Sequence, residues 1–282
     1  MAKNTKIQDF RKLNTDKQET APAKKKSKGS VSASKKKEKK VNIILPFILV
    51  TLILIGICIG CMLTPTFNID DIKVQSGINV KEGEVLAKIE HVKGINTLKV
   101  NTRKLEKSIE EIPYIRRAEI KRVLPDGLSV IYKERRPYAI IKYLESFVIM
   151  DKFGYVLDVK KENDMQELAI IYGIDAEEYI PGTILDGVAR LKYENVAYLL
   201  ETSSHVGFEY GISEINYQDT ENLIISIRDA DIEVEYGEIE REKLSEKIIY
   251  LNEMIKSIEG KKGTILINSE DYNKESIFRE RF

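Results

Sequence analysis

The chain has 282 residues and a formal net charge of zero, from 45 Lys/Arg and 45 Asp/Glu. The neutral total hides an asymmetry, because residues 1–40 carry 14 Lys/Arg against 4 Asp/Glu and residues 41–282 carry 31 against 41. Both cysteines lie before residue 64, which excludes a disulfide-built fold for the remainder. That remainder of over 210 residues is long enough for two ordinary hydrophobic cores.

Residues 1–40 are basic and poor in apolar side chains. Nine lysines lie between Lys24 and Lys40, interleaved with Ser, Ala, Gly and Val. Such a segment cannot bury enough apolar surface to offset the entropy of ordering, so we predict a disordered basic cytoplasmic tail. Nucleic-acid binding is the alternative use of these lysines, but membrane topology and attraction to anionic lipid explain them more simply.

The next segment, Ile43–Leu63, contains 21 residues and no charge. At ~1.5 Å per residue its helix would be about 30 Å long, the thickness of the hydrocarbon core of a bilayer, so we predict a transmembrane helix within residues 41–64. Basic residues that flank a span stay in the cytoplasm, which places the N-terminus inside and the C-terminal part outside. These residues are Lys35, Lys36, Lys37, Lys39 and Lys40.

Two alternatives to an uncleaved anchor fit the span less well. A cleaved signal peptide has a shorter apolar core and a shorter preceding region. A lipoprotein signal would use Cys61 after Gly60, but Cys58 then stands where an aliphatic residue is expected. Cys58 and Cys61 also form a C-x-x-C motif. Because both lie in the apolar span, where a thiolate is costly, we interpret them as small apolar residues rather than as redox thiols or metal ligands.

After the span, residues 66–137 have the pattern of one small α+β domain. Two amphipathic helices are predicted, one opened by a capping box at Asn79 and Glu82, the other beginning near Asn101 and ending before Pro113. With three strands, the elements have the order β-α-α-β-β. The predicted strands cover Phe67–Val74 (with a bulge), Ile115–Leu124 and Leu128–Arg135.

A motif at the end of this domain carries a resemblance to a known family. It reads P-x-x-L-x-V-x-Y-x-E-R-x-P and contains Pro125, Leu128, Val130, Tyr132, Glu134, Arg135 and Pro137. Residues upstream have matching spacing, namely Leu105, Ile109, Pro113, Ala118 and Arg122. Directly after a single span, this pattern resembles the POTRA domain of the bacterial cell-division protein family FtsQ/DivIB.

Residues 138–268 have mostly period-two alternation and predict a mixed β-sheet domain with two helices. The helices are expected over Gly187–Ser203 and after Gly237. The predicted strands are Ala139–Tyr143, Phe147–Asp151, Tyr155–Val159, Ile212–Tyr217, Leu223–Ile227, Ile232–Tyr236 and Thr264–Asn268. The resemblance continues here, because the Asp151–Gly154 turn and the helix after Gly237 match the second, β domain of that family. Residues 269–282 are interpreted as a C-terminal tail.

No catalytic set is recognisable in the outer part. His91 and His205 are the only histidines, and Ser203-Ser204-His205 is a run of adjacent residues that does not make a triad geometry. We therefore predict a protein that is not an enzyme and that needs no cofactor, metal, nucleic acid or small-molecule substrate. A glycosidase-type carboxylate pair among the 41 acidic residues after residue 40 stays open.

The last predicted strand is the candidate partner-binding site. Its residues are Thr264, Ile265, Leu266, Ile267 and Asn268. It is short and almost wholly apolar, and no long element follows to cover it, which predicts an exposed sheet edge that accepts a strand from a partner. Internal pairing, or shielding by Tyr272–Phe282, is the alternative. In the resembled family, small bitopic partners dock on the C-terminal part of the β domain. The family often carries an acidic residue and an Arg in this strand, and this chain has neither.

The resemblance implies a divisome scaffold in the bacterial cell membrane, enriched at the division septum. Its implied partners are other single-pass proteins, of the FtsL/FtsB/DivIC type, and the septal peptidoglycan synthesis machinery. Two other functions stay open: a membrane-tethered cell-wall hydrolase, and a POTRA adaptor for another envelope assembly.

Overall fold

The computed structural model describes residues 44–75, 77–228, 230–258, 260–267 and 276–281. The predicted basic tail, residues 1–40, lies outside these ranges, and so does Asn268. The first element is helix α1, Ile44–Met62, with 19 residues. Its mean hydropathy of 2.8 and its length make it apolar and long enough to cross a membrane, and none of its residues is buried.

A three-stranded sheet with two helices follows, in the predicted order β-α-α-β-β. The elements are β1 (Asp71–Val74), α2 (Glu82–Ile89), α3 (Thr102–Glu110), β2 (Ile115–Val123) and β3 (Gly127–Glu134). In the sheet, β3 is central, parallel to β1 and antiparallel to β2. Val85 of α2, Ile109 of α3 and Leu128 of β3 are buried in one core, because helical and strand periodicity turn them to the same side.

Two local predictions in this part are wrong. The bulged strand expected over Phe67–Val74 is reduced to β1, because Phe67 belongs to a 3-10 turn and Asn68 forms only an isolated bridge. The capping box at Asn79 does not form, since Lys81 is the N-cap residue of α2 and Asn79 binds Glu134 instead. By contrast, the side chain of Asn101 caps α3, which confirms the predicted start of that helix.

Nine strands and two helices make up the rest of the described chain. The strands are β4 (Pro137–Tyr143), β5 (Ser146–Asp151), β6 (Val156–Lys160), β7 (Ala169–Tyr172), β8 (Ile212–Asn216), β9 (Leu223–Ile227), β10 (Ile232–Gly237), β11 (Gly263–Leu266) and β12 (Ile277–Glu280). The helices are α4 (Gly187–His205) and α5 (Leu244–Ser257). The strands form one mixed sheet in the order β12-β11-β10-β9-β8-β7-β4-β5-β6.

One hydrophobic core joins this sheet to both helices. Tyr193 of α4 and Ile248 of α5 are buried in it together with Val234 of β10 and Ile265 of β11. The predicted α+β class is therefore confirmed. Two strands, β7 and β12, have no counterpart in the prediction. The tail predicted over residues 269–282 is wrong for Ile277–Glu280, which forms β12.

Candidate partner-binding edge and the contacts that support it

Glu134, from the family motif, fixes the loop that precedes α2. Its carboxylate accepts hydrogen bonds from the backbone N–H groups of Ile78, Asn79 and Val80 at 3.1–3.2 Å. It also accepts one from Asn79 Nδ2 at 3.1 Å. Gly77 fits closely beside it, since a Cβ there would collide with Glu134 Oε1. Glu134 of the motif thus anchors the loop before α2 to the end of β3.

Arg135, the next residue of the motif, joins the small sheet to the nine-stranded sheet. Its Nη1 donates to Asp151 Oδ2 at 2.8 Å, and its guanidinium carbon lies 3.7 Å from the centroid of the Tyr155 ring. The other carboxylate oxygen of Asp151 accepts from the N–H groups of Phe153 (2.8 Å) and Tyr155 (2.9 Å). A planar guanidinium can pair and stack at the same time, which an ammonium cannot do.

Three further motif residues have framework positions, and of these only Pro137 lies near this junction. Leu128 is buried in the small core. Pro125 follows a cis peptide bond in the turn between β2 and β3, and Pro137 is the first residue of β4. None of these positions presents a polar group to a ligand.

The open edge predicted over Thr264–Asn268 is wrong for Thr264–Leu266, where the alternative of internal pairing with the segment Tyr272–Phe282 is confirmed. Thr264–Leu266 belong to β11, which pairs with β10 in parallel and with β12 in antiparallel orientation. Ile265 and Ile267 are fully buried. The physical reason is that an apolar strand at an open edge leaves a row of backbone groups unpaired, and here the following strand covers that row.

Within the described residues, β12 is the edge of the nine-stranded sheet. Arg281 N donates to Lys262 O at 2.8 Å, and hydrogen-bonded pairs in an antiparallel ladder alternate with non-bonded pairs. The N–H of Arg279 therefore points to β11, whereas the N–H groups of Phe278 and Glu280 point away from it. These two residues offer their backbone donors and acceptors to a further strand.

Side chains hold β12 in place while leaving its outer side accessible. Phe278 packs against the large core, whereas Ile277 is 52% exposed. Glu280 Oε2 lies 3.4 Å from Lys261 Nζ, in the turn before β11. Phe278 thus anchors the strand on the face that meets the core. Ile277 is exposed on the opposite face, and the pair Glu280–Lys261 lies at the end of the strand.

The edge of the small sheet at β2 is blocked by carboxylates. Glu106 Oε1 accepts from Ile120 N at 2.9 Å, and Glu110 Oε1 accepts from Ala118 N at 3.0 Å. Both acidic residues project from α3, and they take the outward N–H groups that an added strand would need.

The far edge of the large sheet, β6, is partly covered. Val156 N donates to Thr183 O at 2.8 Å, and Gly182 N donates to Val156 O at 2.9 Å. The loop before α4 thus occupies the first residue of β6. Of these three edges, β12 has the most regular set of free outward groups in the described part of the chain.

The described residues bring no catalytic set together. His205 Nδ1 lies 2.9 Å from Glu201 O, and the Ser203 hydroxyl donates to Leu199 O at 2.8 Å, so both side chains bind the backbone of their own helix. No group of three His, Cys, Asp or Glu residues that could hold a metal ion occurs in the parts of the chain that the structure describes.

Lys247 is a buried cation that the sequence analysis missed. Its Nζ donates to Tyr236 O at 2.6 Å and lies 4.3 Å from the centroid of the Tyr236 ring. Burial lowers the pKa of Lys247 to about 8, partly opposed by the nearby charge of Glu240. The sequence contained a sign of this burial, because Lys247 lies beside Leu244 and Ile248 on the apolar face of α5.

Comparisons with known proteins agree with this architecture. The family described as "POTRA domain, FtsQ-type" matches residues 67–135. Cell division protein DivIB of Clostridium tetani is 27% identical over 194 residues, which are 68% of this chain and 69% of that protein. The chain is similar to the bacterial cell-division proteins DivIB and FtsQ. DivIB of Clostridium botulinum (strain Hall) is 31% identical over 54% of this chain and 58% of its own length.

Two other matches cover less of the chain. Cell division protein FtsQ of Syntrophotalea carbinolica is 27% identical over 41% of each chain. A solved extracytoplasmic domain of DivIB from Geobacillus stearothermophilus aligns with 45% of this chain and 95% of its own, at 14% identity and a TM-score of 0.26.

Proposed function

We propose that the chain is a non-enzymatic scaffold of the bacterial division machinery. It binds other single-pass division proteins, of the FtsL/FtsB/DivIC type, on the outer face of the membrane and so helps to control septal peptidoglycan synthesis. The relatives named cell division protein support this role. The structural observation that carries the mechanism is the edge strand β12 with its outward backbone groups.

Strand addition at β12 is the proposed mode of binding. A partner strand would pair with the backbone N–H and C=O groups of Phe278 and Glu280, which provide affinity without regard to sequence. Ile277 and Arg279 alternate with them and would select the partner through apolar and acidic side chains. Thr264–Leu266, the candidate residues from the sequence, act indirectly in this proposal because they pair with β12 and hold it in register.

The span is part of the proposed mechanism. With the basic tail in the cytoplasm, α1 holds the two sheets on the outer face, beside partners that are anchored in the same membrane. Confinement to one membrane raises the effective concentration of each binding site for the other. Contacts too weak for soluble proteins would then suffice at the septum, where we propose that the chain is enriched.

The test replaces one outward N–H of β12. Glu280→Pro removes a donor that faces away from β11, and an edge strand tolerates proline at such a position. Glu280→Ala is the matched control, because it also removes the contact with Lys261 but keeps the N–H. Pull-down of the full-length chain from dividing cells should lose its bitopic partners with Glu280→Pro and keep them with Glu280→Ala. Equal capture by both variants would contradict the proposed mode of binding.

A further inference from the structure

Four aliphatic side chains form an exposed cluster on the small domain. Ile95, Leu98, Val123 and Leu124 are 44%, 40%, 49% and 56% exposed, and we call them the membrane-proximal patch. Two come from the loop before α3 and two from the end of β2 and the turn after it. Single exposed aliphatics are ordinary on a protein surface, whereas a group on adjoining turns indicates a binding surface.

Buried polar contacts fix the two turns to each other. The Thr97 hydroxyl lies 2.8 Å from Phe67 O and 3.0 Å from Pro125 O. Arg122 Nε donates to Thr97 O at 2.9 Å. Thr97 itself is fully buried. The patch therefore stands on a rigid support that also holds the chain segment coming from the span.

A hydrogen bond places this support at the end of the span. Asn96 Nδ2 donates to the carbonyl oxygen of Met62, the last residue of α1, at 2.9 Å. A helix of 19 residues is about 28 Å long and matches the hydrocarbon core of a bilayer, so its last carbonyl lies near the membrane–water interface. Ile95 precedes Asn96 directly and Leu98 follows it by two residues, so both side chains lie close to this interface.

We propose that the membrane-proximal patch inserts into the interface of the outer leaflet and seats the small domain on the bilayer. The charge around the patch is mixed, since Lys93 and Lys99 flank Ile95 and Leu98 while Asp126 follows Leu124 and Pro125. The contact is apolar, so it should form on zwitterionic phosphatidylcholine and persist at high salt. This inference is independent of the edge strand and of any division partner.

The chain contains no tryptophan, so a single introduced tryptophan reports on its own surroundings. Full-length Leu98→Trp would be reconstituted into phosphatidylcholine vesicles, with and without lipids brominated near the headgroup end of the acyl chain. We expect blue-shifted emission that loses intensity in the brominated vesicles, at low and high salt alike. Leu191→Trp is the control, because Leu191 is also exposed, on α4, and should show neither effect.

Two outcomes would overturn the inference. In one, acrylamide quenches Leu98→Trp as strongly as Leu191→Trp and brominated lipid quenches neither, so the patch faces water. In the other, Leu98→Trp is blue-shifted but insensitive to brominated lipid, so a second copy of the chain covers the patch. Leu124→Trp repeats the test at the other turn if the circular dichroism of Leu98→Trp differs from that of the wild type.

Discussion

Arg135 Nη1 lies 2.8 Å from Asp151 Oδ2, and this ion pair links the end of the small sheet to the large one. The two side chains are 17% and 5% exposed. β3 ends at Glu134 and β4 begins at Pro137, so the pair lies where the chain passes from one sheet into the other. Such a contact fixes the junction between the two sheets.

Breaking this pair should be costly. Arg135→Met leaves the buried Asp151 carboxylate without its cation, and we expect a loss of about 3–5 kcal/mol in the free energy of unfolding. Urea unfolding of the full-length chain in detergent micelles measures it. Arg135→Lys should fall between the wild type and Arg135→Met, because it keeps the charge but loses the stacking on Tyr155. Additive effects of Arg135→Met and Asp151→Asn would show that the two residues do not interact.

Stability should rise with pH because of Lys247. Its pKa is lowered from 10.5 to about 8 in the native state, so between these values the unfolded state binds the extra proton. The free energy of unfolding then increases by up to about 1.4 kcal/mol per pH unit above pH 8 and is unaffected by this group well below pH 8. Lys247→Met, which buries no charge, should lack this slope.

The pH dependence of the free energy of unfolding reports on Lys247 alone only below about pH 10. Burial raises the pKa of Tyr114, Tyr138 and Tyr179 to about 12, and these groups reduce stability only above their unfolded value of 10.0. Unfolding of both proteins should therefore be compared between pH 7 and about 9.5. Parallel curves for the wild type and Lys247→Met would mean that the lysine does not change protonation on unfolding.

Many secondary-structure elements are predictable from the sequence because their signals are local. The apolar periodicity of α5, the side-chain cap of Asn101 and the strand over Leu223–Ile227 each depend on neighbouring residues, and each is present. Asn79 is the counterexample. Its amide binds Glu134, 55 residues away, and no local pattern distinguishes that contact from a capping box.

The two missed strands have the same explanation. β7 has four residues without alternation of polar and apolar side chains, and it forms only because β4 and β8 pair with it on both sides. β12 is equally short and half charged. The edge therefore lies one strand further along the chain than predicted. The sequence favoured the apolar β11 as the edge, with pairing or shielding by Tyr272–Phe282 as the alternative, and β12 within that segment takes the edge position.

The register between β11 and β12 should be essential for partner binding. A Cβ at Gly263 would collide with the backbone carbonyl oxygen of Arg279, so Gly263→Ala should detach β12 from the sheet. We expect capture of the bitopic partner to weaken by at least about tenfold, which corresponds to about 1.4 kcal/mol. Gly83→Ala in α2 is the control, since no atom lies near its added methyl group. Undiminished capture by Gly263→Ala would argue against a role for β12.

The carboxylates along β2 should protect that edge from self-association. With Glu106→Ala and Glu110→Ala combined, the N–H groups of Ala118 and Ile120 become free for another strand. Sedimentation of the full-length chain in detergent should then show a concentration-dependent dimer. Glu119→Ala, on the same strand but bound to Lys121, should remain monomeric. A monomeric double variant would show that the edge needs no such protection.

Photo-cross-linking in dividing cells tests the central claim most directly. A photoreactive amino acid at Ile277 on β12 should cross-link the full-length chain to a short single-pass membrane protein. The same group at Val159, on the opposite edge strand β6, should not. Cross-links to that partner from Val159 but not from Ile277 would contradict the assignment of β12 as the partner-binding edge.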